Sequence, residues 1–387
     1  MYSIKTLNKI SDCIFDALGT EGFCVSADAQ EPDAVLVRSA DMHEMPVPQS
    51  LLAVARAGAG YNNIPVAEYT KRGICVFNTP GANANAVAEL VLFGMLVSGR
   101  RVVEGIEWLN TLKGQEGVAK LVEKGKSRFV GPELRGKTLG VIGLGAIGIL
   151  VANAAAQGLG MEVLGEDPFI SVQHAWSLSR AIKRVESVEE ILAKSDYVTI
   201  HVPLSDKTRH MIGRQQLAMM KKGAHLLNFS RAELVDGEAV REALASGQLS
   251  TYVTDFPTDD MLGVQGVICI PHLGASTPES EDNCARMAAE QVRSYLETGS
   301  IHNSVNLPEM QLGRFEGVRL QVIHANAPGL VSQISSIISA EAVNIENLTN
   351  KSRGDIAVTV LETDKALSQA SLDALGQLPQ VYRVRQL

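Results

Sequence analysis

Six consecutive residues constrain this chain more than any others. Gly143-Leu144-Gly145-Ala146-Ile147-Gly148 is a GxGxxG run that follows the β-branched stretch Thr138–Ile142 and opens the Ala-rich segment Ile147–Gln157. The first glycine permits a tight turn, the second lets the backbone approach a pyrophosphate, and the third lets helix pack on strand. The helix start adds N–H donors and a positive dipole end, with Ala146 and Ile147 inside the same cradle. Glycine-rich turns are common, so the run alone is weak. An acidic residue also stands where the motif needs one, because Asp167 follows the second strand, Glu162–Leu164. A carboxylate there accepts hydrogen bonds from both ribose hydroxyls and repels a 2′-phosphate, so NAD is expected rather than NADP. Glu166 is adjacent and offers the same chemistry. The bland alternative is that Asp167 starts a turn before Pro168.

Short β-branched runs alternate with helical stretches from Lys137 onward: Thr138–Ile142, Glu162–Leu164, Tyr197–Val202, His225–Asn228, Thr251–Thr254 and Val267–Ile270. Strand, helix, strand repeated in this way predicts a doubly wound parallel sheet with helices on both faces. Before it, Ala34–Val37, Leu51–Ala55 and Ile74–Phe77 read as strands of a smaller α/β unit, and Val87–Leu109 as one long joining helix.

Three polar residues follow separate runs of the larger sheet: Arg231, an acidic cluster of Asp255, Asp259 and Asp260, and His272. In a parallel sheet all carboxyl ends share one edge, where ligands bind. Each residue alone has an ordinary structural explanation, but together they suit one chemistry. Oxidising a hydroxyl-bearing carbon needs a base that titrates near neutrality, which imidazole supplies. A carboxylate substrate needs a fork-shaped cation, which arginine supplies better than lysine. An acid beside the imidazole would orient it and favour its protonated form.

The net charge of −8 argues against a broad nucleic-acid surface but leaves room for a small anion met by local arginines. Five cysteines with no CxxC pair suit a reducing compartment, and no metal is expected. Residues 1–10 lack a signal-peptide core, and the longest apolar stretch, Ala86–Ser98, contains Glu89 and is too short to span a bilayer. A cytoplasmic protein free of membrane and nucleic-acid partners is expected.

Several segments resemble the D-2-hydroxyacid dehydrogenase family: Val141 to Gly148, His201-Val202-Pro203-Leu204, Leu227-Asn228-Phe229-Ser230-Arg231 and Pro271-His272-Leu273-Gly274-Ala275-Ser276-Thr277. Arg56-Ala57-Gly58-Ala59-Gly60-Tyr61-Asn62-Asn63-Ile64 is similar to that family's carboxylate loop. The resemblance implies NAD-dependent oxidation of a D-2-hydroxy acid, with Arg231 binding substrate and His272 as acid/base. It implies His201, Val202, Pro203, Thr208, Ser230, Asp255 and Gly274 as further cofactor contacts, and backbone amides of Gly58, Ala59 and Gly60 as carboxylate donors. Arg38 and Arg56 lie in segments that match substrate loops, as either phosphate-binding cations or plain surface charges. The family usually has Asp-Val-Phe-x-x-Glu where this chain has Asp255-Phe256-Pro257-Thr258-Asp259, one residue shorter with Asp for Glu. Asp259 is the expected partner of His272, with Asp260 the alternative.

The implied fold is a Rossmann domain, 91–274, inserted in a flavodoxin-like substrate domain made of 1–90 and 275–305. Asn306 to Gly317 reads as linker. Beyond it the order of strands and helices is βαββαβ, a ferredoxin-like unit over 318–387. That unit resembles an ACT domain, a small module that binds amino acids at paired interfaces. The resemblance implies His324, Asn326 and Asn344 as effector positions, with L-serine the expected ligand, and a homo-oligomer, dimer or tetramer. Among the family's substrates it points to 3-phosphoglycerate. Structural caps in a dimerisation domain are the other explanation of these polar residues.

Overall fold

The computed structural model describes residues 1–387 other than Thr20 and Arg314. It divides into two compact units, one of residues 1–83 with 281–387 and the other of residues 84–280.

The first unit begins with β1 (Tyr2–Leu7), β2 (Phe23–Ser26), β3 (Ala34–Val37), β4 (Ala53–Arg56) and β5 (Cys75–Phe77). They pair in parallel in the order β2-β1-β3-β4-β5, the flavodoxin-like arrangement. The strand β2 escapes the sequence reading because it is a short, half-exposed four-residue edge with no buried residue.

The second unit holds β6 (Thr138–Ile142), β7 (Glu162–Glu166), β8 (Lys183–Arg184), β9 (Tyr197–Ile200), β10 (Ala224–Asn228), β11 (Leu249–Thr254) and β12 (Val267–Cys269). Their order, β12-β11-β10-β9-β6-β7-β8, is a parallel doubly wound sheet that reverses direction at β6. Four of the central strands are buried along almost their whole length, as a sheet covered on both faces requires. The expected single helix Val87–Leu109 is instead two, Ala84–Arg100 and Val102–Thr111. Arg101 breaks it in a left-handed conformation (φ 47°), held by its Nη1 donating to the Arg128 carbonyl at 3.1 Å. Long-range contact overrides the local helical pattern there.

Four antiparallel strands close the chain: β13 (Val318–Ala325), β14 (Ile345–Arg353), β15 (Ile356–Thr363) and β16 (Val381–Gln386). Their order, β14-β15-β13-β16, is ferredoxin-like, as expected. Leu320 and Val322 face the helices Leu330–Ala340 and Gln369–Gly376. Ile323, Val358 and Val360, on the other face, join one core with Tyr295 and Leu296 of the helix Pro278–Thr298. Leu307 and Met310 enter that same core, so the segment that reads as linker is packed. Among the described residues no helix is long and apolar enough to cross a membrane.

Candidate active site

Each functional residue of the second unit follows the carboxyl end of a strand. Gly143, after β6, has φ 92°, and a Cβ there would meet the His201 carbonyl oxygen at 2.6 Å. A Cβ on Gly148 would collide with the carbonyl oxygen of Gly143, which is the close helix–strand approach the third glycine serves. Gly145 caps the helix Ala146–Gln157, and nothing lies within 4 Å of where its Cβ would stand. The first-turn amides behind that space have no intrahelical acceptor. A side chain would fill the cradle, and a pyrophosphate fits it.

Asp167 leans into the same turn. Its Oδ2 accepts from the Leu144 amide at 2.9 Å and its Oδ1 from the Phe169 amide at 2.8 Å. Glu166 offers the turn only its carbonyl, which accepts from the Gly143 amide at 2.8 Å. Asp167 is therefore the carboxylate beside the glycine turn. Asp167→Ala is expected to lower the NAD:NADP ratio of kcat/KM by about tenfold, the size of one charge-assisted hydrogen bond. An unchanged ratio in coupled absorbance assays would remove Asp167 from the cofactor site.

After β9, His201 donates its amide to the Ile142 carbonyl at 2.7 Å, and its Nε2 lies 2.9 Å from Thr199 Oγ1. Burial pushes its pKa down to about 4, so the ring is neutral. Thr208 Oγ1 donates to the Pro203 carbonyl and accepts from the Ser205 amide, both at 2.8 Å, which fixes the loop that follows Val202. Ser230 Oγ ties the end of β10 to the Ile200 carbonyl at 2.8 Å. Asn228, fully buried, donates from Nδ2 to the Arg231 carbonyl at 2.8 Å and so sets the backbone that presents Arg231.

Arg231 and His272 are both exposed and meet on one ring. The Arg231 guanidinium carbon lies 5.4 Å from the centroid of Phe256, and the His272 ring lies 4.6 Å from it. Asp255 is 2 % exposed, and its two oxygens accept the Leu273 and Gly274 amides at 2.8 Å each. It thereby clamps the turn in which His272 adopts φ 52°. Burial raises the Asp255 carboxyl above its usual range, against the pull of the Gly274 and Leu273 amides and of His272.

The structure does not join Asp259 to His272. Asp259 is exposed and has no hydrogen-bond or ion-pair partner among the described residues. Asp260 is engaged elsewhere, by Thr258 Oγ1 at 2.7 Å and by an ion pair with Arg241. The carboxylate that the structure ties to the turn carrying His272 is Asp255, through the Leu273 and Gly274 amides. Its place directly after Thr254, the end of β11, could be read from the sequence, but its grip on the Leu273 and Gly274 amides could not.

In the first unit, β4 ends at Arg56 and leads into the glycine loop. A Cβ on Gly58 (φ 155°) would collide with the Arg56 guanidinium, so glycine leaves that side chain its room. The Gly58 amide is already committed, donating to Thr79 Oγ1 at 2.8 Å and to the Arg56 carbonyl at 2.9 Å. Ala59 and Gly60 donate their amides to no described residue, so of the three expected carboxylate donors these two are available. Thr79, which fixes the loop, carries no motif that would single it out. Arg38 is ion-paired with Glu281 at 2.6 Å.

The expected effector residues are not together. His324 is 2 % exposed, with Nε2 at 2.8 Å from Thr359 Oγ1 and Nδ1 at 2.7 Å from the Ala325 carbonyl. Both nitrogens are thus occupied within the domain. Asn326 stands beyond the Ala325–Ile356 pair and Asn344 beside the Ile345–Thr363 pair, at opposite ends of β15. At about 3.3 Å per residue that separates them by roughly 23 Å. No single amino acid touches both in one chain. Among the described residues no group of three or more His, Cys, Asp or Glu side chains is placed to hold a metal.

Residues 93–274 match the family model described as the D-isomer specific 2-hydroxyacid dehydrogenase, NAD binding domain. The chain is 32% identical over 352 residues to the D-3-phosphoglycerate dehydrogenase of Escherichia coli K12, covering 88% of this chain and 82% of that one. It is 35% identical over 330 residues to the enzyme of the same name from Methanocaldococcus jannaschii, covering 81% of this chain but 60% of that longer one. Among solved structures, NAD+-bound 3-phosphoglycerate dehydrogenase of Entamoeba histolytica aligns with TM-score 0.59 and 26% identity over 79% of this chain and 98% of that one. The apo D-mandelate dehydrogenase of Rhodotorula graminis shares the fold at TM-score 0.69 and 22% identity, over 81% and 99%.

Proposed function

The chain belongs to the D-isomer specific 2-hydroxyacid dehydrogenase family, and from that premise we propose that it oxidises 3-phospho-D-glycerate at C2 to 3-phosphohydroxypyruvate, opening L-serine biosynthesis. The observation that carries this reading is the meeting of Arg231 and His272 on Phe256, at the sheet edge that also bears the glycine turn. Bound NAD supplies the hydride acceptor. His272 takes the C2 hydroxyl proton as the hydride leaves, while Arg231 holds the carboxylate through its fork. In the first unit the amides of Ala59 and Gly60, which donate to no described residue, are free to take a carboxylate. Asp259 is the loop carboxylate left to approach His272 on substrate binding, since Asp260 is held by Arg241.

A substrate panel followed by NADH absorbance tests the reading. The expected result is a kcat/KM for 3-phosphoglycerate at least tenfold above those for glycerate and lactate. Equal values would leave an oxidoreductase of this family acting on another acid.

The five free cysteines fit a cytoplasmic setting. An L-serine effector site built on Asn326 and Asn344 requires two copies of the chain, which couples regulation to a homo-oligomer. Serine binding by calorimetry that vanishes in Asn344→Ala supports it, and no binding at millimolar serine rejects it.

A further inference from the structure

Gln291, in the first unit, is a buried polar side chain whose chemistry nothing above uses. It is 5 % exposed, yet neither its Nε2 nor its Oε1 has a hydrogen-bond partner among the described residues. Buried polar groups are nearly always paired, and an unpaired one calls for a specific explanation. Gln291 lines a cleft of about 590 Å³, in the size range of small-molecule sites.

One wall of the cleft is a single face of the helix Pro278–Thr298, because Met287, Gln291 and Ser294 recur at helical spacing. The other wall is the segment that crosses back over it. That segment is pinned by the Ile301–Met310 bridge and by Ser300 Oγ, which donates to the Leu312 carbonyl at 3.1 Å. Met287, Met310 and Leu312 make one part of the lining apolar. Among the described lining residues there is no lysine or arginine, Glu290 adds a negative charge, and the imidazole of His302 is engaged by Glu309. The cleft therefore disfavours an anion.

We propose that this cleft between the helix Pro278–Thr298 and residues 300–313 binds a small neutral carboxamide whose amide pairs with that of Gln291. A carboxamide presents a donor and an acceptor side by side, which is the complement of a Gln amide with both atoms free. Its alkyl portion lies against Met287, Met310 and Leu312. A carboxylate has no donor for Oε1 and meets Glu290, and an alkylammonium has no acceptor for Nε2.

The test uses the full chain saturated with NADH, so that a carboxamide does not report on the nicotinamide position. Butyramide, butyrate and butylamine are compared by saturation-transfer NMR and titration. Butyramide is expected to bind at least tenfold more tightly than either of the others. Gln291→Met fills the same volume with no polar atom, so it should abolish the butyramide signal while leaving the melting temperature equal or higher. Equal binding of the three probes overturns the proposal, as does undiminished butyramide binding in Gln291→Met. A lowered melting temperature in Gln291→Met together with no butyramide binding by the unaltered chain also overturns it, because Gln291 would then be a structural residue satisfied by water.

Discussion

A chain ended at Leu312 is expected to lose its first unit as a stable fold. The helix Pro278–Thr298 has no basic residue in its last turn, so its C-terminal carbonyls need partners from elsewhere. The C-terminal sheet provides them. Arg385 donates to the Tyr295 carbonyl at 3.4 Å and the Leu296 carbonyl at 3.2 Å. Arg319 donates to the Thr298 carbonyl at 2.6 Å, and Gln321 to the Gly299 carbonyl at 2.8 Å. The Arg385 guanidinium also covers the Tyr295 ring, 4.6 Å from its centroid. Truncation strips these groups and uncovers the core that Ile323, Val358 and Val360 seal. Each such side chain contributes about 1.5–3 kcal/mol when buried. Each lost hydrogen bond removes about 1 kcal/mol more. The sum is comparable with a whole domain's stability of about 5–15 kcal/mol. The truncated chain should be aggregated on size exclusion and lack a cooperative melt. A soluble product melting with the full chain would show that the sheet is a detachable appendage.

That dependence was partly legible in the sequence. A ferredoxin-like sheet with helices on one face should bury alternate residues only. In β15, however, Ile356, Val358 and Val360 line one face while Ala357 and Leu361 flank only Thr359 on the other, so neither face is charged in the middle of the strand, which signals cover on both sides. The polar composition of 306–317 masked it, because Leu307 and Met310 are isolated apolar residues whose burial depends on distant partners. The glycine turn and Asp167 were fully legible, since their geometry is set by local spacing and by adjacent strands. What holds the turn that carries His272 was not, because it depends on contacts between distant segments. Asp255 is fixed by two amides eighteen and nineteen residues away, and no local pattern encodes that clamp. The three effector residues follow from resemblance alone, and strand register places two of them at opposite ends of β15.

Arg231→Lys is expected to lose most of the activity although the charge is kept. The guanidinium of Arg231 is planar and lies over Phe256, while its Nη1 donates to the Ser230 carbonyl at 2.7 Å. These contacts leave the rest of the fork to face a carboxylate with two parallel N–H groups. Lysine offers a point charge on a flexible stem and cannot make the bidentate contact or the flat stack. The loss falls on an interaction aimed at charge held during hydride transfer, so about 2–4 kcal/mol in kcat/KM is the expected scale. The backbone that presents residue 231 is held by Asn228 and does not depend on the side chain, so the melting temperature should stay within a degree or two of the parent. Steady-state assays with 3-phosphoglycerate and saturating NAD, paired with a thermal melt, separate the two effects. A lysine variant within twofold of the parent would mean that Arg231 is not the carboxylate clamp. A variant that loses activity only in proportion to lost folded protein would mean the arginine serves the fold and not the substrate.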